Sequence, residues 1–582
     1  MRKQTKIVAV ASAAALLAIG ASMTSFAATG WVEEDGQWYF YDKDGNRVEN
    51  EWKKSGDNWY WLDSDENGAM AVDKLVEDDD DTYYVDANGV MVRNTWVKVV
   101  NEDQDDEEDP AEYNYYYMQS NGKAYKANDA GETKFKTIDG KKYAFDEDGK
   151  MLYGWLNTDA TRATDESDWE TATYYCGSWD DGSLKTGWQK IYVYDQDKDD
   201  DMDYWFNFKS NGKKRVFTDS DSDNSTILEK KINGKKYGFD ARGVMVYEWT
   251  VATEGDLAST STWKYFRSPE DGARVTKGWF KVVAPEKNDD TNTFEEYSGT
   301  FATTHSDDES EKWYYADEDG QLIEGEIKKI KGKYDGFRPD TDEKKGAAML
   351  TGLCPLTVDQ DGRIVKVWDE DIDSDALDDV IDGEGDFEGF GDSEFDTLYY
   401  FGNDEDTDGA LKTGNVTLNL DGDTYQFQFS KTGGAEGKGR GLTGIDDEKY
   451  IYKYGKKMKA DNDEKYIVVY ATGDTADKDA VVNEIDSKDL RAAYEEAGTN
   501  KDGDTVKYVG TVGTTWGKDY YLVNTSGSII KNKTAAKDGD DWYFYVDDKQ
   551  IKMYTNNKTL KGDKDHTMTV NLDGWKSWKL VK

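Results

Sequence analysis

Proline, cysteine and histidine are scarce in this chain of 582 residues. Only 5 prolines stand against 55 glycines, which excludes a proline-rich stalk and indicates that the turns are made by glycine. The two histidines, His305 and His566, each lie alone in a polar stretch, so a metal site with several histidine ligands is excluded. A Ser-His-Asp or Cys-His arrangement would arise only by accident, and no phosphate-binding glycine loop is present. The sequence therefore offers little support for enzyme chemistry.

The two cysteines, Cys176 and Cys354, lie far apart in the sequence. In an exported chain two cysteines can pair, but in a one-dimensional stack of repeats these two would meet only if the stack bends. Cys176 also stands where an equivalent stretch has Phe401. We therefore expect Cys176 to be a small buried apolar residue.

Basic residues are in deficit, since 73 Lys and Arg stand against 121 Asp and Glu, a formal net charge of −48. Such a field repels nucleic acid and anionic lipid and attracts cations. Duplex binding needs clusters of Lys and Arg that face phosphates, and the sequence has none. A nucleic-acid partner is therefore not expected.

Long apolar runs are also lacking after the N-terminus. Residues 1–6 are basic, residues 7–23 are apolar and Ala-rich, and Ser25-Phe26-Ala27 resembles a signal-peptidase cleavage site. The pattern predicts an exported protein whose mature chain begins near Ala28. Without a second run of membrane-spanning length, we expect no membrane insertion once the signal is removed.

Aromatic residues, by contrast, are abundant, with 20 Trp, 39 Tyr and 20 Phe, although only 37% of the chain is hydrophobic. The stretch from Gly30 to Leu62 sets the pattern: Trp31 is followed by Trp38, and Trp52 by Trp59, each in a strand of alternating aromatic and polar residues. Asp-Gly and Asn-Gly turns stand between the strands, which is a strong hairpin signal. Recurrence of one hairpin at a short period predicts an all-β solenoid of stacked hairpins.

A longer version of the pattern follows. Trp96, Trp188 and Trp279 recur at nearly equal spacing, each followed by an acidic insert and then an aromatic strand. Such repetition favours nearest-neighbour stacking over one compact enzyme domain. The sequence predicts a signal peptide at 1–27, regular hairpin repeats at 28–95, three copies of a three-hairpin superrepeat at 96–414, an irregular β region with a helix at 415–510, and C-terminal hairpins with a cap at 511–582.

One short helix is predicted between residues 477 and 498, near the C-terminal third. Ser487 could cap its start and Gly498 could stop it. The apolar residues with helical spacing are Val481, Val482, Ile485, Leu490 and Ala493.

The order Gly-Trp, six residues, Trp-aromatic-aromatic and an Asp/Asn-Gly turn resembles the cell-wall-binding (choline-binding) repeat family and the related repeats of glucan-binding regions. Gly30-Trp31, Trp38-Tyr39-Phe40 and Asp44-Gly45 carry the likeness, which recurs along the whole mature chain. The resemblance implies a β-hairpin solenoid that attaches exported proteins to cell-wall polymer. It also implies that a ligand such as choline sits in an aromatic cage between consecutive hairpins.

Carried over residue by residue, the family pattern gives five ligand-binding candidates. Trp31 and Trp38 of the first unit would form one cage with Trp59 and Trp61 of the second, and Trp52 would begin the next cage. Ring faces are negative and attract a quaternary ammonium group, and flat rings also stack on sugar faces. The alternative is that most rings, especially after residue 96, only pack hairpin on hairpin.

The acidic loops suggest calcium at one place. Asp404, Asp406 and Asp408 have the spacing that opens an EF-hand loop, but the twelfth position is Asn415 and not Glu. A carboxylate run is usually a solvated loop, so calcium is a weak candidate and no other cofactor is expected.

The sequence thus predicts a secreted, cell-wall-associated protein that binds a choline-bearing polymer or a glycan non-covalently and has no catalytic activity. One alternative is a structural or adhesive protein whose acidic loops face a host or neighbouring cell. Another is a cryptic wall-active glycoside hydrolase in the C-terminal third, since paired carboxylates cannot be excluded by residue type.

Overall fold

The computed structural model describes most of the chain, which forms two compact units. One comprises Met1–Val246 with Pro269–Gly272, and the other comprises Tyr247–Ser268 with Ala273–Lys582. The predicted signal peptide, His305 and His566 lie outside the described residues. These are 29–102, 111–127, 132–218, 225–252, 263–283, 287–288, 293–294, 296–297, 301–302, 311–339, 346–402, 404, 406, 408–433, 437–499, 505–509, 519–539, 541–556, 567–568 and 578–579.

The first unit consists of antiparallel hairpins. Five strands form one sheet in the order β1-β2-β5-β4-β3, and the later strands pair two by two. The strands are β1 (Gly30–Glu34), β2 (Gln37–Tyr41), β3 (Glu51–Ser55), β4 (Asn58–Asp63), β5 (Ala69–Met70), β6 (Lys74–Asp78), β7 (Asp81–Val85), β8 (Thr95–Val100), β9 (Tyr113–Met118), β10 (Lys136–Ile138), β11 (Lys141–Tyr143), β12 (Trp155–Leu156), β13 (Tyr174–Tyr175), β14 (Gly187–Asp195), β15 (Asp200–Phe208), β16 (Leu228–Ile232) and β17 (Lys235–Phe239).

The second unit continues the hairpins and then changes character. Its strands are β18 (Glu248–Val251), β19 (Trp263–Phe266), β20 (Gly278–Val283), β21 (Lys287–Asn288), β22 (Thr293–Phe294), β23 (Glu296–Tyr297), β24 (Phe301–Ala302), β25 (Glu311–Ala316), β26 (Glu326–Ile330), β27 (Lys333–Phe337), β28 (Leu353–Val358), β29 (Ile364–Val367), β30 (Asp396–Tyr400), β31 (Gly414–Leu420), β32 (Asp423–Phe429), β33 (Gly444–Asp446), β34 (Tyr450–Lys453), β35 (Lys456–Lys457), β36 (Tyr466–Thr472), β37 (Val481–Ile485), β38 (Glu495–Thr499), β39 (Thr505–Val509), β40 (Tyr520–Asn524), β41 (Lys533–Lys537), β42 (Tyr543–Asp547), β43 (Gln550–Thr555), β44 (Thr567–Met568) and β45 (Trp578–Lys579). A five-stranded sheet runs β31-β32-β35-β34-β33, and an eight-stranded sheet follows the path β37-β36-β40-β43-β39-β38, with β41 and β42 attached beside β43.

Consecutive hairpins are joined at their turns by a repeated pair of contacts. The residue two positions after a turn glycine donates its N–H to a carbonyl of the preceding hairpin, as from Met91 to Trp59 (2.9 Å) and from Met151 to Tyr115 (2.7 Å). The glycine of the following turn then packs on that residue's side chain: a Cβ at Gly182 would lie 2.3 Å from Met151 Sδ, and Gly182 has φ +57°. Glycine is therefore required there by both space and backbone conformation.

The cores between hairpins are thin and aromatic, as the composition predicts. One cluster packs Trp61, Val76 and Tyr83 between the second and third hairpins. Cys176 and Cys354 are both free and buried, which confirms the expectation that Cys176 is a small buried residue. The described residues are thus mostly β-hairpin sheets, and the solenoid as a whole stays a prediction.

The described residues include two α-helices, where one was predicted. The helix α2 (Ser487–Tyr494) confirms the predicted position, but it begins after Asp486, whose side chain accepts the N–H of Lys488, and it ends before a strand and not at Gly498. The preceding apolar residues form β37 and not the first helical turn.

A second helix, α1 (Ser374–Asp382), was not predicted, and it lies in a separate acid-rich segment of the third superrepeat, residues 369–396. Asp373 caps its start by accepting the N–H of Ala376, and Gly383 ends it with φ +69°. Its buried residues Leu377, Val380 and Ile381 have the helical spacing that would have revealed it. No helix in the described part of the chain is long and apolar enough to cross a membrane.

Candidate functional site

The first two hairpins set the positions of all five predicted cage tryptophans. In the first hairpin, Trp31 lies opposite Phe40 and Glu33 lies opposite Trp38. In the second, Trp52 lies opposite Trp61, and Trp59 lies opposite Lys54. Because directly opposed residues share a face of a sheet, each hairpin presents an inner and an outer tryptophan on one face.

The inner tryptophans form the contacts between hairpins. Trp31 packs edge-on against Phe40 (5.4 Å between ring centroids) and against Tyr60 of the second hairpin (5.3 Å). Trp52 repeats the arrangement with Trp61 at 5.3 Å and Tyr83 of the third hairpin at 5.1 Å.

Tyr60, and not the predicted Trp59 or Trp61, is the aromatic residue of strand β4 that contacts Trp31. Successive side chains of a strand point to opposite faces, so Tyr60 faces the first hairpin while Trp61 packs with the third. Trp61 is only 6% exposed and is a core residue. The middle aromatic of the Trp-aromatic-aromatic cluster was the signal that could have identified Tyr60.

The outer tryptophans, Trp38 and Trp59, have a different environment. Both are half-buried. Within the described residues, neither ring contacts another ring and neither indole N–H has a hydrogen-bond partner. The indole N–H of Trp31 is buried beside this face and also lacks a partner among those residues. The outer faces are therefore available to a ligand.

Ring faces in this region already attract the chain's own cations. The Arg47 guanidinium lies 3.9 Å from the centroid of Tyr39 and also pairs with Glu34 at 2.8 Å. The Lys53 ammonium lies 5.2 Å from the centroid of Phe40. Phe40 shares the face of Trp31 and Trp38, so the Lys53 contact places a positive group on that face, whereas Tyr39 lies on the opposite face of the hairpin.

The same register recurs in three long hairpins, β8–β9, β14–β15 and β20–β25. Tyr115, Trp205 and Trp313 take the outer position, each opposite a lysine. The acidic inserts lengthen these hairpins without shifting the rings out of register. The next hairpin again supplies an inner contact, since Trp96 lies 4.8 Å from Tyr143 and Trp188 lies 4.8 Å from Tyr237.

In two long hairpins a distant carboxylate holds the outer tryptophan. Glu270 accepts the indole N–H of Trp205 at 3.1 Å and pairs with Lys190 at 2.9 Å. The hydrogen bonds from Lys190 and then from Trp205 lower the pKa of Glu270. We call this arrangement a carboxylate clamp.

The second carboxylate clamp involves one of the predicted calcium residues. Asp406 accepts the indole N–H of Trp313 and pairs with Lys281, both at 2.9 Å. Sequence reasoning did not identify either clamp.

The candidate calcium residues are otherwise engaged within the chain. Asp408 pairs with Lys412, and Asp404 accepts the backbone N–H of Asp406 at 3.1 Å. Among the described residues, no three or more His, Cys, Asp or Glu side chains are grouped so as to hold a metal ion. Calcium binding stays a prediction.

A separate group of buried charges fixes the tip of the second long hairpin. Arg242 lies 3.2 Å from Asp195 and 3.3 Å from Asp240, and Tyr204 donates its hydroxyl to Asp195. Asp195 and Asp240 are buried, and burial raises the pKa of Asp240. The two carboxylates hold Arg242 at the tip of the hairpin, while its Nη2 is buried without a hydrogen-bond partner among the described residues.

Comparisons with known proteins agree with the geometry of the first hairpins. The family model described as a choline-binding repeat matches residues 28–74, and the model described as a putative cell wall binding repeat matches residues 73–91, 133–151 and 308–322. A search of the curated proteins found no match.

Several solved structures from Streptococcus pneumoniae are similar. The modular autolysin LytC is 16% identical over 55% of this chain and 52% of its own, with a TM-score of 0.28, so the chain spans about half of its length. The choline-binding domain of CbpL is 23% identical over 38% of this chain and 97% of its own, with a TM-score of 0.21. The choline-binding domain of Spr1274 is 30% identical over 17% of this chain and 95% of its own, with a TM-score of 0.13.

The matched repeats are binding modules, and they indicate association with the cell surface and binding to a cell-wall polymer. They include both hairpins that carry the five candidate tryptophans. The chain therefore carries cell-wall-binding repeats of the choline-binding type.

Proposed function

We propose that the chain is a secreted protein that attaches non-covalently to the cell wall, and that its aromatic cages take the quaternary ammonium groups of a choline-bearing polymer. The observation that carries the proposal is a recurring set of three rings: an inner tryptophan, an outer aromatic on the facing strand, and a tyrosine of the next hairpin. The first set is Trp31, Trp38 and Tyr60, and the second is Trp52, Trp59 and Tyr83.

Within each set, the outer tryptophans Trp38 and Trp59 are the principal ligand walls because their rings and indole N–H groups are uncommitted. The inner tryptophans form the floor while they also hold neighbouring hairpins together. Trp61 is assigned to packing. Cation–π contacts are worth about 0.5–2 kcal/mol each, so one cage is weak and several cages on one polymer gain by avidity.

The charge of the protein supports a cationic ligand. A net charge of −48 raises the local concentration of positive groups near the surface and repels polyanions that carry none. Attachment requires no catalysis, and we propose none.

Isothermal titration of the full chain with choline tests this proposal. We expect saturable binding at several sites, and the double substitution Trp38→Ala and Trp59→Ala should lower the number of choline sites, since it removes two open ring walls. Tyr192→Ala is the matched control, because Tyr192 is an exposed aromatic (66%) outside the cages. An unchanged number of choline sites in the double variant would contradict the assignment of these walls.

Parallel titrations with soluble α-glucan and wall fragments separate the remaining possibilities. Binding of glycan without choline would move the ligand to a sugar face. A chain that binds none of these would be a structural or adhesive protein whose rings serve only packing. Wall-lytic activity in the purified chain would revive a cryptic glycoside hydrolase.

A further inference from the structure

The ring set of the third superrepeat departs from the other two at the wall that the following short hairpin supplies. A short hairpin follows each long hairpin; the three short hairpins are β10–β11, β16–β17 and β26–β27. In the first two copies, a tyrosine of the short hairpin contacts the inner tryptophan: Tyr143 contacts Trp96, and Tyr237 contacts Trp188. In the third copy, the corresponding residue is Asp335.

The register of the short hairpins establishes this equivalence. Tyr237 lies opposite Lys230, and this pair is two positions away from the pair Ile232–Lys235 beside the turn of β16–β17. Asp335 lies opposite Lys328, and this pair is two positions away from the pair Ile330–Lys333 beside the turn of β26–β27. The two strands therefore place Tyr237 and Asp335 at the same distance from their turns.

Packing on the inner tryptophan is also the same in both copies. Phe239 lies 5.6 Å from Trp188 with 31° between the rings, and Phe337 lies 5.6 Å from Trp279 with 26°. Alternate residues of a strand share a face, so Asp335 lies on the face of Phe337 that meets Trp279. A carboxylate thus replaces the tyrosine ring at the third wall.

Asp335 is buried without a direct partner. It is 7% exposed, and within the described residues its carboxylate has no hydrogen bond or ion pair. Burial raises the pKa of Asp335 to about 6, and nearby Lys333 opposes the rise. A buried carboxylate that lacks a hydrogen-bond donor is costly, and a bound cation with N–H groups would satisfy it.

The neighbouring lysines are directed elsewhere. Lys328 pairs with Glu326 at 2.9 Å, and Lys281 of the long hairpin is held by Asp406 in the carboxylate clamp. Lys333 is exposed at the turn. Among the lysines that the structure describes, these three therefore leave the position beside Asp335 and the two tryptophans open.

We propose that Trp279, Trp313 and Asp335 form a binding site for a primary ammonium group, whereas the all-aromatic sets take quaternary ammonium groups. This inference rests on the proposed function and assigns a second ligand chemistry to one of its cages. The ligand group would be an amino sugar or an ethanolamine ester of the wall polymer, which share the same –NH₃⁺ chemistry.

The physical basis is hydrogen bonding. A primary ammonium has three N–H donors, and a carboxylate accepts them in short charge-assisted bonds. A quaternary ammonium has no N–H group and depends on ring faces for its methyl groups. Replacing a ring with a carboxylate therefore shifts preference toward the primary ammonium.

The test is ¹⁹F NMR of the full chain labelled with 5-fluorotryptophan, with the Trp313 and Trp205 resonances assigned by Trp313→Phe and Trp205→Phe. Ethanolamine, glucosamine and choline are titrated at pH 7.5. We expect the Trp313 resonance to respond to at least one primary amine at about tenfold lower concentration than to choline, and the Trp205 resonance to prefer choline. Response to glucosamine alone would identify an amino sugar, and response to ethanolamine alone an ethanolamine ester.

A reciprocal exchange sharpens the test. Asp335→Tyr should reverse the preference at Trp313, Tyr237→Asp should reverse it at Trp205, and the nearly isosteric Asp335→Asn should abolish the preference for primary amines. Unchanged resonances of the other tryptophans confirm that each variant is folded. A Trp313 resonance that ignores both amines, or that keeps its preference in Asp335→Tyr and Asp335→Asn, would overturn the inference. If choline moves no tryptophan resonance at all, the proposed function itself fails.

Discussion

The first two hairpins and the second long hairpin carry the same pair of tryptophans in the same register, in different surroundings. Trp38 and Trp59 have open outer faces. Trp205 is held by Glu270, which comes from a turn far along the chain. Strand register thus decides where a ring lies, and a turn from another hairpin decides whether its indole N–H is held. One repeat motif can therefore present an outer ring with an unheld N–H in one region and a clamped one in another.

The largest expected effect concerns the second long hairpin, β14–β15, because buried charges hold its tip, whereas aromatic rings hold the first two hairpins together. Arg242→Met should lower the free energy of unfolding by about 4 kcal/mol, because Asp195 and Asp240 would stay buried without their cation. Urea denaturation measures the loss. Lys213→Met, at an exposed position of the preceding turn, should be nearly neutral. Equal losses in both variants would contradict the structural role of the buried group.

The second prediction separates packing from binding within one strand. Trp61→Ala should cost about 3 kcal/mol of folding stability, because it empties the core between the second and third hairpins. Trp59→Ala should cost much less and should weaken choline binding more. The two losses are compared by urea denaturation and calorimetric titration. A Trp59→Ala variant as unstable as Trp61→Ala would show that Trp59 is also a packing residue.

The third prediction uses pH to distinguish Asp335 from its counterpart Tyr237. The pKa of Asp335 in the folded state, about 6, lies above its ordinary value of 3.8, so the folded state holds the proton more tightly than the unfolded state. Its ionisation costs nothing below pH 3.8, costs progressively more as the pH rises, and reaches the full cost above pH 6. Asp335→Asn should therefore gain roughly 2 kcal/mol relative to the parent between pH 4 and pH 7. Denaturant unfolding of both proteins at the two pH values measures this gain, and a constant difference would contradict the burial of a charged Asp335.

The smallest effect is expected from opening a carboxylate clamp. Glu270→Gln removes the charge that pairs with Lys190, so Trp205 should become more exposed and resemble Trp38. The solvent isotope shift of the Trp205 fluorotryptophan resonance in D₂O reports this change. Asp406→Asn should do the same at Trp313, with little change in folding stability in either variant. An unchanged isotope shift at both tryptophans would show that the clamps do not control exposure.

Local pattern was sufficient wherever the structure depends on neighbours in sequence. Alternating aromatics and Asp/Asn-Gly turns predicted the hairpins around Trp31 and Trp52, and the recurrence of Trp96, Trp188 and Trp279 predicted the equivalent long hairpins. The burial of Cys176 followed from its match with Phe401. The helix α1 was predictable as well, because Asp373, Gly383 and three spaced apolar residues mark it, but the density of acidic residues obscured the pattern.

The sequence by itself therefore determined the type of repeat, the hairpin units and the strand positions of the candidate tryptophans, since these depend on side-chain alternation and turn chemistry within a few residues. Only the tertiary structure decided that Tyr60 and not Trp61 meets Trp31, that Glu270 and Asp406 hold outer tryptophans, and that Phe337, on the face of Asp335, meets Trp279. Each of these contacts joins residues of different hairpins. Their partners are set by how hairpins stack, which no local pattern of residues specifies.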